Sequence, residues 1–149
     1  MTLLLAALAL VPPAAASDDG PTPIRDFEGL IAALTGGEEV RAVIRYGQCL
    51  IQSAPGPDVI AGMPLSVFEV FPKLSIGNPV GFVSTSHSRR MVHPRYGQVV
   101  QDTRLNVFED GRAEVSTRYL DPRKHKVLTD ETFGCAFAEQ GGITLFGDG

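Results

Sequence analysis

The chain has 149 residues, of which 44% are hydrophobic and 20% are charged, which is typical of one globular domain. Its formal net charge of -4 argues against nucleic acid as a partner, because neutralising phosphates requires a clustered basic surface. No apolar stretch after Val11 approaches the roughly 20 residues of a membrane-spanning helix, so we predict no stable membrane span.

The N-terminus, MTLLLAALALVPPAAAS, has the pattern of a secretory signal peptide. An apolar run from Leu3 to Val11 precedes small residues at 14–16 that match an A-x-A cleavage site, although no Lys or Arg precedes the run. Pro12-Pro13 disfavour the alternative, a buried N-terminal helix. Cleavage would leave a periplasmic or secreted protein. We therefore divide the chain into a signal peptide over 1–16, a flexible N-terminal segment over 17–23 and a single β-rich domain over 24–147.

The segment TPIRDFEGLIAALTGG predicts a helix that packs on a sheet. Thr22 or Asp26 can cap its start, and Gly36-Gly37 would end it. The apolar residues that recur at helical spacing and form one stripe are Ile24, Phe27, Leu30, Ile31 and Leu34.

The next segment, EVRAVIRYGQCLIQS, alternates as a strand and contains the first of two cysteines. Strict alternation places Val40, Ala42, Ile44 and Tyr46 on one side, and Cys49 on the other. A glycine inside a strand commonly marks a β-bulge, which reverses the facing of every later residue. The sequence YGQC therefore predicts a bulge at the glycine that turns the cysteine into the core.

The two cysteines, Cys49 and Cys135, are predicted to form an internal disulfide, because an exported protein meets an oxidising compartment. Cys135 lies between Phe133 and Phe137 at the same strand parity, so we expect the bond to lie against these rings. Buried free thiols are the alternative. A metal-binding or catalytic pair is disfavoured, because neither cysteine has a local C-x-x-C or His spacing.

Two segments, GQVVQDTRLNVF and RAEVSTRYL, predict a β-hairpin. A loop of Glu109, Asp110 and Gly111, with the glycine left-handed, pairs apolar with apolar residues, whereas a two-residue turn mixes apolar with polar residues. The register predicted from this loop pairs Val107 with Ala113, Leu105 with Val115, Thr103 with Thr117 and Gln101 with Tyr119 on one face, and Asn106 with Glu114, Arg104 with Ser116 and Asp102 with Arg118 on the other.

The remaining segments add strands in mostly adjacent antiparallel order, for a total of about six or seven, and a flat sheet of this size would leave exposed edges. We therefore predict a mostly β fold: a small antiparallel β-barrel or a strongly curled sheet, with one N-terminal α-helix packed against it.

Motifs of catalysis and nucleotide binding are missing, and the three histidines are scattered, so we predict no catalytic set, no metal site and no cofactor. The segment HSRRMVHPRYG is the one concentration of positive charge, and in an extended chain alternate residues from His87 to Arg95 share a side. Arginine offers forked hydrogen bonds to anions. The candidate ligand-binding residues are His87, Arg89, His93 and Arg95. The alternative is a solvated edge strand whose cations discourage aggregation and pair with Glu109, Asp110 or Asp130.

Several segments, in order, resemble the VirK family, which is named after a protein of the virulence regulon of plant-tumour bacteria: FEGLIAALTGGEEVRAVIRYGQC, GMPLSVFEVF, HPRYGQV, NVFEDGRAEVSTRYLDP and DETFGCAF. The resemblance extends from about Ile24 to Phe146 and is most specific around the two cysteines. It implies a small periplasmic or secreted protein with a role at the host interface. It implies no reaction and no catalytic residues.

We therefore expect an exported, non-enzymatic binding or interaction protein. Its partner would be a small apolar or anionic ligand held in the barrel mouth, or another protein. Two other functions remain open: a small hydrolase with a dispersed site built from His93, Asp102 and Arg95, and a structural envelope factor.

Overall fold

The computed structural model describes residues 20–148, so the predicted signal peptide at 1–16 lies outside the described residues. The elements are β1 (Thr22–Ile24), α1 (Phe27–Thr35), β2 (Val40–Arg45), a 3-10 turn (Tyr46–Gln48), β3 (Leu50–Ile51), β4 (Ala54–Pro55), β5 (Ile60–Pro64), β6 (Phe68–Phe71), β7 (Phe82–His93), β8 (Gly97–Phe108), β9 (Arg112–Leu120), β10 (Val127–Phe137) and β11 (Gly142–Gly147).

The strands form one strongly curled sheet, a half-barrel, with 56% of the described residues in strands and 9% in helix. This confirms the predicted mostly β class and selects the curled-sheet alternative. The order is β5-β2-β11-β10-β9-β8-β7-β6, with β1 on β11 and the short β3 and β4 beside β10. The short pair β10–β11 is parallel, whereas the other paired strands are antiparallel.

Strand β1 corrects two sequence expectations. The flexible segment expected over 17–23 includes Thr22 and Pro23, but these residues pair with Gly147 and Phe146 of β11. The expected helical stripe includes Ile24, but this residue pairs with β11 as well. The helix begins later because Asp26 caps it: the side-chain Oδ1 accepts a hydrogen bond from the Gly29 amide at 2.7 Å.

The hydrophobic core lies on the inner face of the half-barrel, under helix α1. Leu30 and Leu34 of the helix are buried there together with alternate residues of β2, β8, β9 and β11. The strand residues in this core with at most 1% exposure include Ala42, Ile44, Val83, Leu105, Val107, Val115, Ile143 and Leu145. Alternation along each strand therefore places the apolar set inward, as the sequence predicted.

The disulfide Cys49–Cys135 is present and joins residues that are 86 positions apart in the chain. Cys49 is fully buried and lies in the same cluster as Phe133 and Phe137, which confirms the predicted interior position. The predicted bulge at Gly47 is wrong, because a 3-10 turn over Tyr46–Gln48 changes the facing instead. The turn is closed by a hydrogen bond from the Cys49 amide to the Tyr46 carbonyl at 3.0 Å.

The β8–β9 hairpin has the predicted register, from Gln101 opposite Tyr119 to Val107 opposite Ala113. Gly111 adopts the left-handed conformation, with φ 87°, as the three-residue loop requires. Asp102 and Arg118 form the predicted cross-strand ion pair at 3.4 Å.

Within residues 20–148, no helix has both the length and the apolar character needed to cross a bilayer.

Candidate functional site

Strand β7 carries the predicted positive stripe on the inner face of the sheet. Val83 and Thr85 are buried in the core, and His87, Arg89, Met91 and His93 follow them at the same parity. The pairing of β7 with β8 is regular over all twelve residues, so no bulge interrupts this facing. The stripe is therefore the continuation of the core face beyond the region that the helix covers.

Arg95 does not belong to the strand, which corrects the prediction that it shares a side with His93 by alternation. Strand β7 ends at His93, and Arg95 lies in the turn to β8, where it is exposed. Its guanidinium carbon lies 5.7 Å from the centre of the Tyr96 ring. Arg95 reaches the same region as His93 through the turn.

His93 organises this turn. Its Nδ1 accepts hydrogen bonds from the backbone amides of Arg95 at 3.0 Å and Tyr96 at 3.3 Å. Its ring stacks on Tyr96 at 4.8 Å between centroids and lies 4.7 Å from the Tyr119 ring. The histidine thus holds two tyrosines and one arginine in a fixed arrangement.

A series of hydrogen bonds connects Arg89 to Tyr119. Arg89 Nε donates to Gln101 Oε1 at 2.7 Å, and Gln101 Nε2 donates to the Tyr119 hydroxyl at 3.4 Å. The contacts join residues of β7, β8, β9 and the β7–β8 turn into one group. We call this group the aromatic–basic cluster, and its members are Arg89, His93, Arg95, Tyr96, Gln101 and Tyr119.

Sequence reasoning missed Tyr96, Gln101 and Tyr119 as members of the site. The predicted hairpin register already placed Gln101 beside Tyr119 on the apolar face. Combining that register with the parity of the β7 stripe would have brought these two residues to Arg89. Tyr96 gave no such signal, because its position depends on the conformation of the turn.

The aromatic–basic cluster carries positive charge, and the acidic residue of its hairpin, Asp102 of β8, lies on the opposite face of the sheet beside Ser88. From Ser86 to Gln101 the chain contains three arginines and no Asp or Glu. The three ion pairs found within residues 20–148 lie elsewhere, at Arg41–Glu39, Arg112–Asp110 and Arg118–Asp102. None of these three ion pairs therefore joins the stripe to Glu109, Asp110 or Asp130, as the sequence-based alternative expected.

His87 shares a narrow crevice between β7–β8 and β2–β5 with Arg89 and Gln101 of the aromatic–basic cluster. The crevice has a volume of about 20 Å³ and is lined by His87, Arg89, Tyr46, Ala61 and Met63, among others. That volume is close to the space of one water molecule and far below that of a ligand pocket, which is about 300–1,000 Å³. A ligand would have to contact the aromatic–basic cluster from the open side of the half-barrel.

Tyr46 closes the inner end of the crevice. Its hydroxyl lies 3.2 Å from Thr117 Oγ1, and its ring packs edge-on against Phe133 with 4.7 Å between centroids. Burial raises the pKa of the Tyr46 hydroxyl above its ordinary value, and the hydrogen bond with Thr117 opposes this shift. Tyr46 is therefore a neutral, packed boundary between the core and the polar part of the inner face.

The outer face of the sheet carries a second concavity, a shallow polar trough of about 530 Å³. Much of its polar surface is satisfied internally: Ser88 Oγ donates to Asp102 at 2.6 Å, and the hydroxyls of Ser116 and Thr132 lie 3.2 Å apart. The Asp102–Arg118 ion pair crosses the same trough. Because these groups already hydrogen-bond to one another, a ligand would gain less here than at the aromatic–basic cluster.

The residues of the hypothetical hydrolase site are not brought together. His93 faces inward against Tyr119, whereas Asp102 faces outward, where it binds Ser88 and Arg118. Backbone amides occupy His93 Nδ1, so no carboxylate of the described residues orients the ring through this nitrogen. In the region from 20 to 148, no three His, Cys, Asp or Glu side chains converge as they would around a metal ion.

The fold and the surface define a small half-barrel with a disulfide in its core and a basic, aromatic edge. The family model described as VirK protein matches residues 23–125. The chain therefore belongs to the VirK family, as its segments indicated.

The chain also resembles the crystal structure of a VirK family protein from Legionella pneumophila, with a TM-score of 0.70. The two sequences are 16% identical, and the alignment covers 85% of this chain and 99% of that chain, so the likeness is one of fold. A comparison with curated protein sequences finds no match.

Proposed function

We propose that this VirK family protein is an exported, non-enzymatic binding protein that holds an anionic group of its partner at the aromatic–basic cluster. The observation that carries the proposal is that Gln101 orients Arg89 and the turn built on His93 holds Arg95, while neither arginine has a carboxylate partner within residues 20–148. Cations that are preorganised and unpaired on an acidic protein favour an anionic ligand.

Arg89 is the central residue of this proposal. Gln101 accepts from its Nε, so the side chain is oriented along the inner face. No other side-chain hydrogen bond of Arg89 occurs within the described part of the chain, and the two terminal nitrogens stay available for a forked contact. Because orientation is fixed before binding, less rotamer entropy is lost when an anion binds.

Export is supported by three independent features. The N-terminal sequence matches a signal peptide. The buried disulfide suits an oxidising compartment, such as the periplasm or the extracellular space. Members of the VirK family are typically small exported proteins, and the family takes its name from a virulence regulon. We therefore propose a role at the interface between bacterium and host.

The binding part of the proposal is tested with small anions. Inorganic phosphate, glucuronate and a capped pentaglutamate are titrated into the isotope-labelled protein, and amide shifts around Arg89 and Tyr119 are followed by NMR. We expect at least one of these anions to bind, and Arg89→Gln to weaken it by about tenfold, the loss expected for one charge-assisted hydrogen bond. Higher salt should weaken binding as well.

Arg90→Gln is the matched control, because Arg90 is the next residue of β7 and faces the opposite side of the sheet. It removes the same charge from the same strand and should leave the affinity for phosphate and glucuronate nearly unchanged. Equal losses in Arg89→Gln and Arg90→Gln would mean that the net charge of the strand, and not the aromatic–basic cluster, attracts the anion. That result would refute the proposed site.

The non-enzymatic part is tested separately. The purified protein is assayed with chromogenic esters, glycosides and phosphate monoesters. We expect no turnover, because His93 Nδ1 binds backbone amides and not a carboxylate in the part of the chain that the structure describes. Turnover that persists through repurification and is lost in His93→Ala would favour the hydrolase instead. A stable partner that binds equally well to Arg89→Gln and wild type would favour the structural envelope factor.

A further inference from the structure

The outer half of β7 has an edge without a neighbouring strand among residues 20–148. Strand β6 pairs only with the first four residues of β7, from Phe82 to Thr85. From Ser86 to His93, β7 pairs with β8 on one side alone. Every second residue of this stretch therefore directs its backbone N–H and C=O away from the sheet.

This free edge of β7, residues 86–93, is long enough to accept another strand. Eight residues in extended conformation span about 26 Å, which exceeds the length of a typical strand of about five or six residues. Natural edge strands are usually short, bulged or covered. This one is regular over its whole paired length with β8.

The positive charge of the free edge favours an acidic partner. Arg89 projects to the inner face and Arg90 to the outer face, and the 86–93 stretch contains no acidic residue. The whole chain, in contrast, has a net charge of -4. A strand laid beside this edge would place its alternate side chains next to these arginines on both faces.

We propose that an extended, acidic segment of another polypeptide adds as a strand to the free edge of β7. Its backbone hydrogen-bonds to residues 86–93, and its inward carboxylates bind Arg89 within the aromatic–basic cluster. The inference rests on the proposed function, because the inward carboxylate is the anionic group that the cluster holds. The backbone pairing is the new element, and it makes the partner an extended peptide with alternating acidic residues.

The test uses a capped octapeptide in which Glu and Thr alternate, with affinity measured by calorimetry. One control peptide has the same composition with all glutamates grouped at one end. The second control keeps the alternation but carries N-methyl groups on two adjacent central residues, which block a backbone donor on both edges of the peptide. We expect each control to bind at least about tenfold more weakly, since a lost pairing position removes hydrogen bonds.

Amide hydrogen exchange of the protein supplies the structural readout. In the free protein, alternate amides of residues 86–93 should exchange rapidly, because only the others pair with β8. Addition of the alternating peptide should slow those rapidly exchanging amides by about tenfold or more at saturation. The exchange of β9, which has neighbours on both sides, should change little.

Three results would overturn the inference. If the N-methylated peptide binds as tightly as its parent, the contact is ionic only; strand addition fails and the anion site stands. If no peptide binds while glucuronate or phosphate does, the partner is not an extended polypeptide. If the free protein already protects residues 86–93 and sediments as a dimer, a second copy of the chain occupies the edge.

Discussion

Tyr46 marks the point at which the inner face changes from apolar core to polar surface. Its ring contacts Phe133 and its hydroxyl bonds Thr117, so one side chain serves both environments. Replacing it by phenylalanine keeps the ring and removes the hydroxyl. We expect Tyr46→Phe to lower the free energy of unfolding at neutral pH by about 1 kcal/mol, the value of one buried hydrogen bond.

The pH dependence of this effect has a defined sign. Because burial raises the pKa of Tyr46 in the folded state, its contribution to stability is complete below the unfolded value of about 10 and is lost as pH rises through the folded pKa. Urea unfolding at about pH 8 and about pH 11 should therefore show the wild type losing more stability than Tyr46→Phe. Parallel losses would contradict the buried position of the hydroxyl.

Gly142 meets two requirements that only glycine satisfies together. Its φ is +97°, and a Cβ at this position would lie 2.5 Å from the sulfur of Cys49. Gly37 has a similar φ of +83° but open space around it, which makes it a matched control. We expect Gly37→Ala to cost about 1–2 kcal/mol from backbone strain, and Gly142→Ala to cost clearly more because the disulfide must move as well.

Urea unfolding of the two glycine variants measures the difference, and a thiol assay under denaturing conditions reports whether the disulfide still forms. If both variants lose the same stability, the close approach to Cys49 has no energetic effect.

Helix α1 depends on one side chain for its start. Asp26 caps the Gly29 amide, and no basic residue lies in the last turn to compensate for a weakened start. We expect Asp26→Ala to lower the free energy of unfolding by about 1 kcal/mol, and Asp26→Asn to lower it much less, because asparagine caps equally well. Equal losses of stability in Asp26→Ala and Asp26→Asn would mean that the charge of Asp26, and not its capping hydrogen bond, stabilises the helix. Thermal unfolding by circular dichroism is a sufficient measurement.

The strands illustrate what alternation alone predicts. The hairpin register, the inward set of β2 and the parity of the β7 stripe follow from a period of two and from loop chemistry. The 3-10 turn at Tyr46 does not, because residues distant from the turn hold it: the Tyr46 amide bonds the Val59 carbonyl at 3.0 Å, and the Gly56 amide bonds the Cys49 carbonyl at 2.9 Å. A bulge and a 3-10 turn can both change which side of the sheet the later side chains face. The local sequence does not distinguish between the two.

Alternation along one strand likewise predicts only part of the candidate site. His87, Arg89 and His93 share a face because they share a parity. Their partners Tyr96 and Tyr119 depend on a turn conformation and on a third strand, which the pattern within one strand does not contain. The separation of His93 from Asp102 also needed the paired sheet, since the two residues lie on opposite faces.

At the scale of the whole molecule, the disulfide closes a loop of 86 positions that includes most of the sheet. Constraining the unfolded chain in this way contributes about 4–5 kcal/mol in the chain-entropy model. We expect reduction, or the double change Cys49→Ala with Cys135→Ala, to remove a large share of a net stability that is typically about 5–15 kcal/mol. Urea unfolding with and without reductant gives the difference.

The same disulfide provides a test of export. Protein recovered from the producing cells and alkylated under denaturing conditions without reduction should gain no alkyl groups in its mass spectrum. Alkylation of both cysteines would mean that the chain folds in a reducing compartment, which would contradict the proposed localisation.

The position of β11 has a consequence for biogenesis. Gly142–Gly147 is made by the ribosome after every other described strand, yet it lies between β2 and β10 in the middle of the sheet and also holds β1. Ile143 and Leu145 complete the packing beneath the helix. The nascent polypeptide thus lacks a finished interior until β11 has been synthesised, so the earlier strands cannot complete the core by themselves.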